Sequence, residues 1–300
     1  MKVFRDEPLL AIIAFIRQCV ADGAPIELAV LDPDRGRGRY AGERVDGHVH
    51  RPFRVWVDLA ERLGLRLLTP RSGVAPLVHL RFEPLAPRLA WRGDATEKYG
   101  ADSELARIDK REDPGFVLDF ADALDRVALG TAPRILSLGV NTGNELALIM
   151  ELAPRDAATY VGIDHSASAL AVARARFGDR VQLVEADLNR LAALALGRFD
   201  LVLSIGTLQS AGIDDRALIR RVVQDHLAPD GAAIFGVPNC RYADGEVEHG
   251  ARMKNFRQPE LGLLVKDVAF YRKYLQQHHR KVFITGKNYV LITGVAQPAP

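Results

Sequence analysis

The sequence predicts an α/β fold, in which a mostly parallel sheet carries helices on both faces and follows a smaller N-terminal α+β module. Three observations carry this prediction. From residue 134 onward, short apolar runs alternate with segments of helical periodicity. The last two apolar runs, "KVFITG" and "YVLITGVA", are separated only by "KN", which predicts a closing antiparallel hairpin. The first hundred residues have a different grammar, with two helical segments around a basic stretch broken by glycines.

In chain order, "EPLLAIIAFIRQCVADG" predicts a helix and "RGRGRYAGERVDGHVHRPF" a basic hairpin or loop. "RVWVDLAERLGL" then predicts a helix and "VHLRFEPL" a strand, with "APRLAWRGDATEKYGA" as the exit from this module. A helical pattern from Ser103 to Leu129, interrupted by "EDPG", leads into the sheet. Five buried strands follow in "RILSLG", "YVGID", "VQLVEAD", "FDLVLSIG" and "GAAIFGVPN". Between them, "NELALIMELA", "SASALAVARARF", "LNRLAALAL" and "DDRALIRRVVQDHL" have apolar residues at helical spacing. This pattern of connection belongs to parallel strands. The expected division is residues 1–98 and 99–300.

The 300 residues suffice for two modest cores. A content of 48% hydrophobic and 26% charged residues is that of an ordinary globular chain. "PLLAIIAFI" is too short to span a membrane and reads as a core helix, not as a signal peptide, so no membrane partner is expected. Cys19 and Cys240 sit in no metal-binding spacing, which predicts a reducing, cytoplasmic setting and no metal.

The stretch "RILSLGVNTGNEL" reads as a strand, a glycine turn and a helix start. Such a turn lets a ligand approach the backbone beside unpaired helix N–H groups, although it can equally serve only to redirect the chain. Asn141 stands midway between Gly139 and Gly143, and asparagine tolerates positive φ better than other side chains. Asp164 ends the second strand, where a carboxylate can accept both hydroxyl hydrogens of a ribose. Asp187 ends the third, within reach of an adenine edge. Each aspartate has an equal alternative as a helix cap. Together they outline an adenosine-shaped crevice at the carboxyl ends of the strands.

On these residues the region from Arg134 to Val295 resembles a class I S-adenosylmethionine-dependent methyltransferase with a Rossmann-like sheet. The resemblance rests on the glycine loop, the "GID" and "EAD" acids, "FDLVLSIGTLQ", "LAPDGAAIFGV" and the terminal hairpin. It implies S-adenosylmethionine as cofactor. Gly139, Asn141 and Gly143 would line its methionine and ribose, Asp164 would hold the ribose hydroxyls, and Asp187 with Leu188 would frame the adenine. It also implies that Ser204, Ile205 and Gly206 pass beneath the methyl. Two positions depart from the family pattern: Asn141 replaces a glycine, and Ser137 stands where an acid often helps to hold the methionine ammonium. Glu145 is a substitute for that acid, although a carboxylate there also suits the helix dipole. A nicotinamide dinucleotide fits less well, because G-V-N-T-G-N lacks the second and third glycines of its fingerprint.

The acceptor side is less defined. Thr207 and Gln209 follow the fourth strand in an ordinary polar loop. "VPNCRYADGEVEHGARMKNFRQPE" follows the fifth, and its length and functional groups make Asn239, Arg241, Tyr242 and His249 the catalytic candidates. Cys240, alone beside Arg241, lacks a motif that would make it a nucleophile. From Arg35 to Arg92 there are twelve arginines, no lysine and five acids, with Tyr40, Phe53, Trp56, Phe82 and Trp91 interleaved. From Arg241 to Lys281 nine basic residues face five acids. This balance leans toward RNA, or another anionic small molecule, as the acceptor. A small-molecule methyltransferase and a catalytically decayed adenosyl-ligand or nucleic-acid binding module are the alternatives.

Overall fold

The computed structural model describes residues 1–86, 96–250 and 261–297, without the side chains of 104 and 105. Arg88, Trp91 and Arg92 and the segment 251–260 lie outside the described residues. The chain divides into two units, Met1–Leu89 with Arg241–His249, and Ala90–Cys240 with Gly250–Pro300.

The first unit opens with β1 (Lys2–Val3), α1 (Leu9–Asp22) and β2 (Ile26–Leu31). A short bridge, β3 (Arg44–Val45) with β4 (His48–Val49), precedes α2 (Phe53–Leu63), β5 (Leu65–Leu67), β6 (Arg71–Ser72) and β7 (Leu77–Pro84). The sheet order is β1-β2-β7-β5, with β6 also paired to β7. Ile12 and Ile16 of α1, Trp56 of α2, Leu28 of β2 and Leu80 of β7 share one apolar core. The basic stretch does contain a hairpin, which turns at Asp46 and Gly47, both at positive φ as a tight two-residue turn requires. The strand β2, "IELAVL", is absent from the sequence-based expectation, although it pairs on both sides. Only Gly23, Ala24 and Pro25 separate it from α1, with Gly23 at φ 62° capping the helix.

In the second unit the lead-in ends in α3 (Pro114–Asp125). The "EDPG" stretch starts this helix instead of interrupting one. Asp113 Oδ1 accepts from the N–H groups of Gly115 (2.9 Å) and Phe116 (3.1 Å), and Pro114 occupies a first-turn position whose N–H would go unused. Next come β8 (Arg134–Leu138), α4 (Asn144–Leu152), β9 (Thr159–Asp164), α5 (Ala167–Phe177) and β10 (Val181–Glu185). They are followed by β11 (Phe199–Ile205), α6 (Asp215–Arg221) and β12 (Leu227–Pro238). The hairpin β13 (Cys240–Ala243) and β14 (Glu246–His249) belongs to the first unit from Arg241 onward, after which α7 (Leu261–Gln277), β15 (Arg280–Thr285) and β16 (Tyr289–Ala296) complete the second.

The sheet order is β10-β9-β8-β11-β12-β16-β15, in which β8 to β12 are parallel and β16 is antiparallel to both its neighbours. Alternation along each strand sends side chains to two separate cores. Leu136, Leu138, Val161, Ile163, Val202 and Phe235 pack beneath α6 and α7, with Leu218 and Tyr271. Ile135, Tyr160, Leu201, Leu203 and Ile234 pack on the other face with Phe116, Leu146 and Leu170. The predicted α/β architecture with helices on both faces is therefore present.

One predicted helix is different. "LNRLAALAL" forms a 3-10 segment (Leu188–Leu194) with Arg190 off helical dihedrals and Ala195 at φ 48°. Leu188 and Leu191 are both buried, and a spacing of three residues matches a 3-10 turn.

Asp113 also accepts from Asn288 Nδ2 through its second oxygen, at 2.8 Å. Asp113→Ala removes a helix cap and this tie to the final hairpin, and is expected to cost about 1–2 kcal/mol in urea unfolding.

Candidate cofactor crevice

At the carboxyl end of β8 the chain turns through Gly139 (φ 70°), Asn141 (φ 48°) and Gly143 (φ 86°) before α4 begins. Asn141 adopts the left-handed conformation expected of it. The N–H groups of Gly139 and Val140 both donate to Ile163 O, at 2.8 and 2.9 Å, which ties the turn to β9. Both glycines are needed for close packing as well. A Cβ on Gly139 would overlap the Thr207 side chain, and one on Gly143 would overlap the Phe177 ring.

Asp164, at the end of β9, is 8% exposed. Its Oδ2 accepts from Asn141 N at 2.8 Å and its Oδ1 from Ser166 N at 3.0 Å. One carboxylate therefore shapes both the glycine turn and the start of α5, while Ser166 Oγ performs the capping by accepting from Ala169 N. Asp187 does act as a cap, accepting from Asn189 N at 2.9 Å, yet its side chain is exposed. Leu188 beside it is buried.

The residues after the fourth parallel strand serve partly as scaffold. Ser204 Oγ donates to Leu138 O at 3.2 Å, and Ile205 is buried in one of the cores. Gly206 (φ 76°) is half-buried against Tyr289. Gln209 is buried, donating to Tyr271 Oη at 3.2 Å, and Tyr271 in turn donates to Asp215 at 2.8 Å. That network pins the loop to α7.

Several interactions of the lead-in have no signal in the sequence. Tyr99 O accepts from Asn141 Nδ2 at 2.7 Å. Glu97 accepts from Ser168 Oγ and Ser166 Oγ, and these bonds hold its carboxyl below the usual carboxylate range. Lys110 Nζ lies 2.6 Å from Glu145 Oε1. Burial pushes the Lys110 ammonium toward neutrality, but the charge of Glu145 and hydrogen bonds to Glu145 and Tyr289 outweigh it and leave its pKa raised. In the sequence Glu145 stands as a lone acid at the helix start. In the fold it is half of an ion pair whose partner lies 35 residues away.

The four catalytic candidates divide between the two units. Asn239 lies at the end of β12 in the second unit, donating from Nδ2 to Lys287 O at 3.2 Å. Arg241, Tyr242 and His249 lie on the β13–β14 hairpin of the first unit. Arg241 is ion-paired with Glu248, and His249 Nδ1 lies 3.1 Å from Glu61 Oε2. Cys240 is buried. A cavity of about 500 Å³, lined by Arg155, Thr159, Arg180 and Gln182, lies at the amino ends of β9 and β10. It is at the opposite end of the parallel strands from the glycine turn.

The arginine-rich segment loses its excess charge once its neighbours are counted. Arg35, Arg37, Arg39, Arg44, Arg54 and Arg66 pair with Asp46, Asp34, Glu43, Asp6, Asp58 and Asp244. Across the first unit, 15 basic residues face 14 acidic ones.

Residues 135–231 match the family described as "Methyltransferase domain". A curated relative, trans-aconitate 2-methyltransferase of Azoarcus sp. (strain BH72), is 33% identical over 117 residues, which are 39% of this chain and 44% of that protein. This chain therefore spans less than half the length of that relative. Among solved structures, the CurJ carbon methyltransferase is 12% identical with a TM-score of 0.49, covering 82% of this chain and 80% of that one. A SAM-dependent methyltransferase from Aquifex aeolicus is 13% identical with a TM-score of 0.45, covering 64% and 98%. Over residues 135–231 the chain is thus similar to a methyltransferase domain, a likeness that implies S-adenosylmethionine as cofactor.

The left-handed turn makes a prediction about Asn141. Asn141→Ala forces an unfavourable φ, whereas Asn141→Gly keeps the turn and loses only the side-chain bonds. The alanine variant should be the less stable of the two by about 1 kcal/mol in urea unfolding.

Proposed function

We propose that the second unit binds S-adenosylmethionine in the crevice at the ends of β8, β9 and β10, and that the protein transfers its methyl group to a small carboxylate-bearing acceptor. The observation that carries the cofactor reading is the placement of Asp164. It sits at the carboxyl end of its strand, beside a left-handed glycine turn and one strand from an exposed Asp187. The groups present fit an adenosyl amino acid: a carboxylate for a ribose diol, an acid and Leu188 for an adenine, and a charged pair at the start of α4.

When bound, the cofactor supplies an electrophilic methyl on a sulfonium, with a neutral thioether as leaving group. The protein's tasks are then alignment of the acceptor in line with that methyl and exclusion of water. The turn at Gly139 and the Gly206 backbone would form the floor beneath the reacting centre. A carboxylate acceptor is already ionised at neutral pH, so no general base is required. That agrees with His249 and Arg241 each being held by a glutamate.

Two findings favour a small acceptor over RNA. The charge of the first unit nearly cancels, so the arginine count does not amount to a phosphate-binding surface. The curated relative is named for a small tricarboxylate.

Asp164→Ala should weaken binding of S-adenosylhomocysteine by about ten- to a hundredfold, because a charge-assisted hydrogen bond is worth roughly 1.5–3 kcal/mol. Calorimetry on a variant shown to be folded decides this, and unchanged affinity would remove the cofactor reading. Filter binding of bulk transfer RNA should show no steep salt dependence. A logarithmic slope near −3, equivalent to about four phosphate contacts, would restore RNA as the acceptor. Tight cofactor binding with no methyl transfer to any carboxylate or RNA tried would favour the decayed binding module.

A further inference from the structure

Residues 97–101 of the lead-in form a short strap. Among the described residues, its hydrogen bonds to the rest of the unit fall on two places. One is Asn141, whose Nδ2 donates to Tyr99 O at 2.7 Å. The other is the start of α5, where Ser166 Oγ donates to Glu97 Oε2 at 2.9 Å and Ser168 Oγ donates to the same oxygen. The Ala101 N–H then donates to Ser168 Oγ at 2.9 Å. Asn141 and Ser166 are also the two residues whose backbone N–H groups bond Asp164. The strap therefore bridges the same two pieces of chain that Asp164 joins, and Asp164 is only 8% exposed with the strap in place.

The hold on the strap is polar. Lys98 and Asp102 are exposed, and Glu97 and Tyr99 are half-buried. Among the described residues, none of 97–102 belongs to either apolar core of the unit. A segment held by a few hydrogen bonds and little apolar contact opens far more readily than the sheet beneath it. Gly100 lies against the Glu97 attachment, where a Cβ would overlap the Glu97 carboxylate and Ser168 Oγ. The attachment at Asn141 depends on this chain's departure from the family pattern, since the glycine usual there has no side chain to donate.

We propose that the strap is a gate for the adenosyl ligand, latched by Glu97 and Asn141 across the two sides of the Asp164 site, and that the ligand enters and leaves only while the latches are open. This rests on the reading that the crevice binds an adenosyl cofactor, and it adds a control on the exchange of that cofactor. The consequence is kinetic. Each latch joins protein to protein with no ligand atom between, so it holds the strap equally in the free and the bound protein. The open fraction then multiplies association and dissociation alike and leaves the affinity unchanged. A strap that served as a ligand contact would slow dissociation alone.

Surface plasmon resonance with S-adenosylhomocysteine over the immobilised protein reads both rates. Glu97→Ala removes a carboxylate that accepts from two hydroxyls, and the loss of such charge-assisted bonds shifts an equilibrium about tenfold or more. The variant should therefore bind and release the ligand about tenfold faster, with a dissociation constant within about twofold of wild type. Gly100→Ala displaces the same carboxylate without removing any polar group and should raise both rates as well. It becomes the decisive protein if Glu97→Ala does not fold. An association rate no faster than wild type in the decisive variant overturns the inference, whether or not dissociation speeds up. The cofactor reading stands in that case, because the ligand still binds. If S-adenosylhomocysteine does not bind the wild-type protein, the cofactor reading has failed and the gate with it.

Discussion

The crevice depends on one carboxylate. Asp164 bonds the backbone of Asn141 with one oxygen and that of Ser166 with the other, and so sets the glycine turn and the start of α5 together. Both partners are N–H donors, so the carboxylate is held by charge-assisted bonds at a place where water has little access. An asparagine in a left-handed conformation can occupy the middle of the turn because its N–H is received there. The same conformation frees its side chain to bond the lead-in at Tyr99. The departure from the usual glycine is thus built into the local structure and is not by itself a sign of decay.

Charge in this protein is arranged in pairs more than in patches. In the first unit, arginines that form a cationic run in the sequence meet acids from the amino terminus and from the β13–β14 hairpin, such as Asp6, Asp244 and Glu246. Exposed pairs of this kind add little stability individually. In the second unit the same habit appears at Lys110 and Glu145, a largely buried pair at the start of α4.

Much of the second unit is legible in the sequence because buried parallel strands are nearly continuous apolar runs, and because "KN" leaves room only for a hairpin. The strand-end position of Asp164 follows from those runs, whereas Asp187 lies two residues beyond the end of β10 at Glu185. What escapes has a physical reason in each case. The strand "IELAVL" follows its helix after only three residues, although Gly23 at φ 62° and Pro25 mark the break. In "LNRLAALAL" leucines three apart suit a 3-10 turn as well as a helix, and periodicity alone does not choose. Lys110 is one lysine in a polar lead-in, and its partner is fixed by tertiary packing across 35 residues. The excess of arginine is countable in the sequence, but its neutralisation is not, since Asp244 and Glu246 reach the first unit only through the late hairpin.

A crystal structure of the chain with S-adenosylhomocysteine tests the central claim most directly. The account predicts the ribose hydroxyls within hydrogen-bonding distance of Asp164, the adenine beside Asp187 and Leu188, and the homocysteine end at the start of α4. A ligand bound elsewhere at saturating concentration, with Asp164 contacting only Asn141 and Ser166, would contradict it.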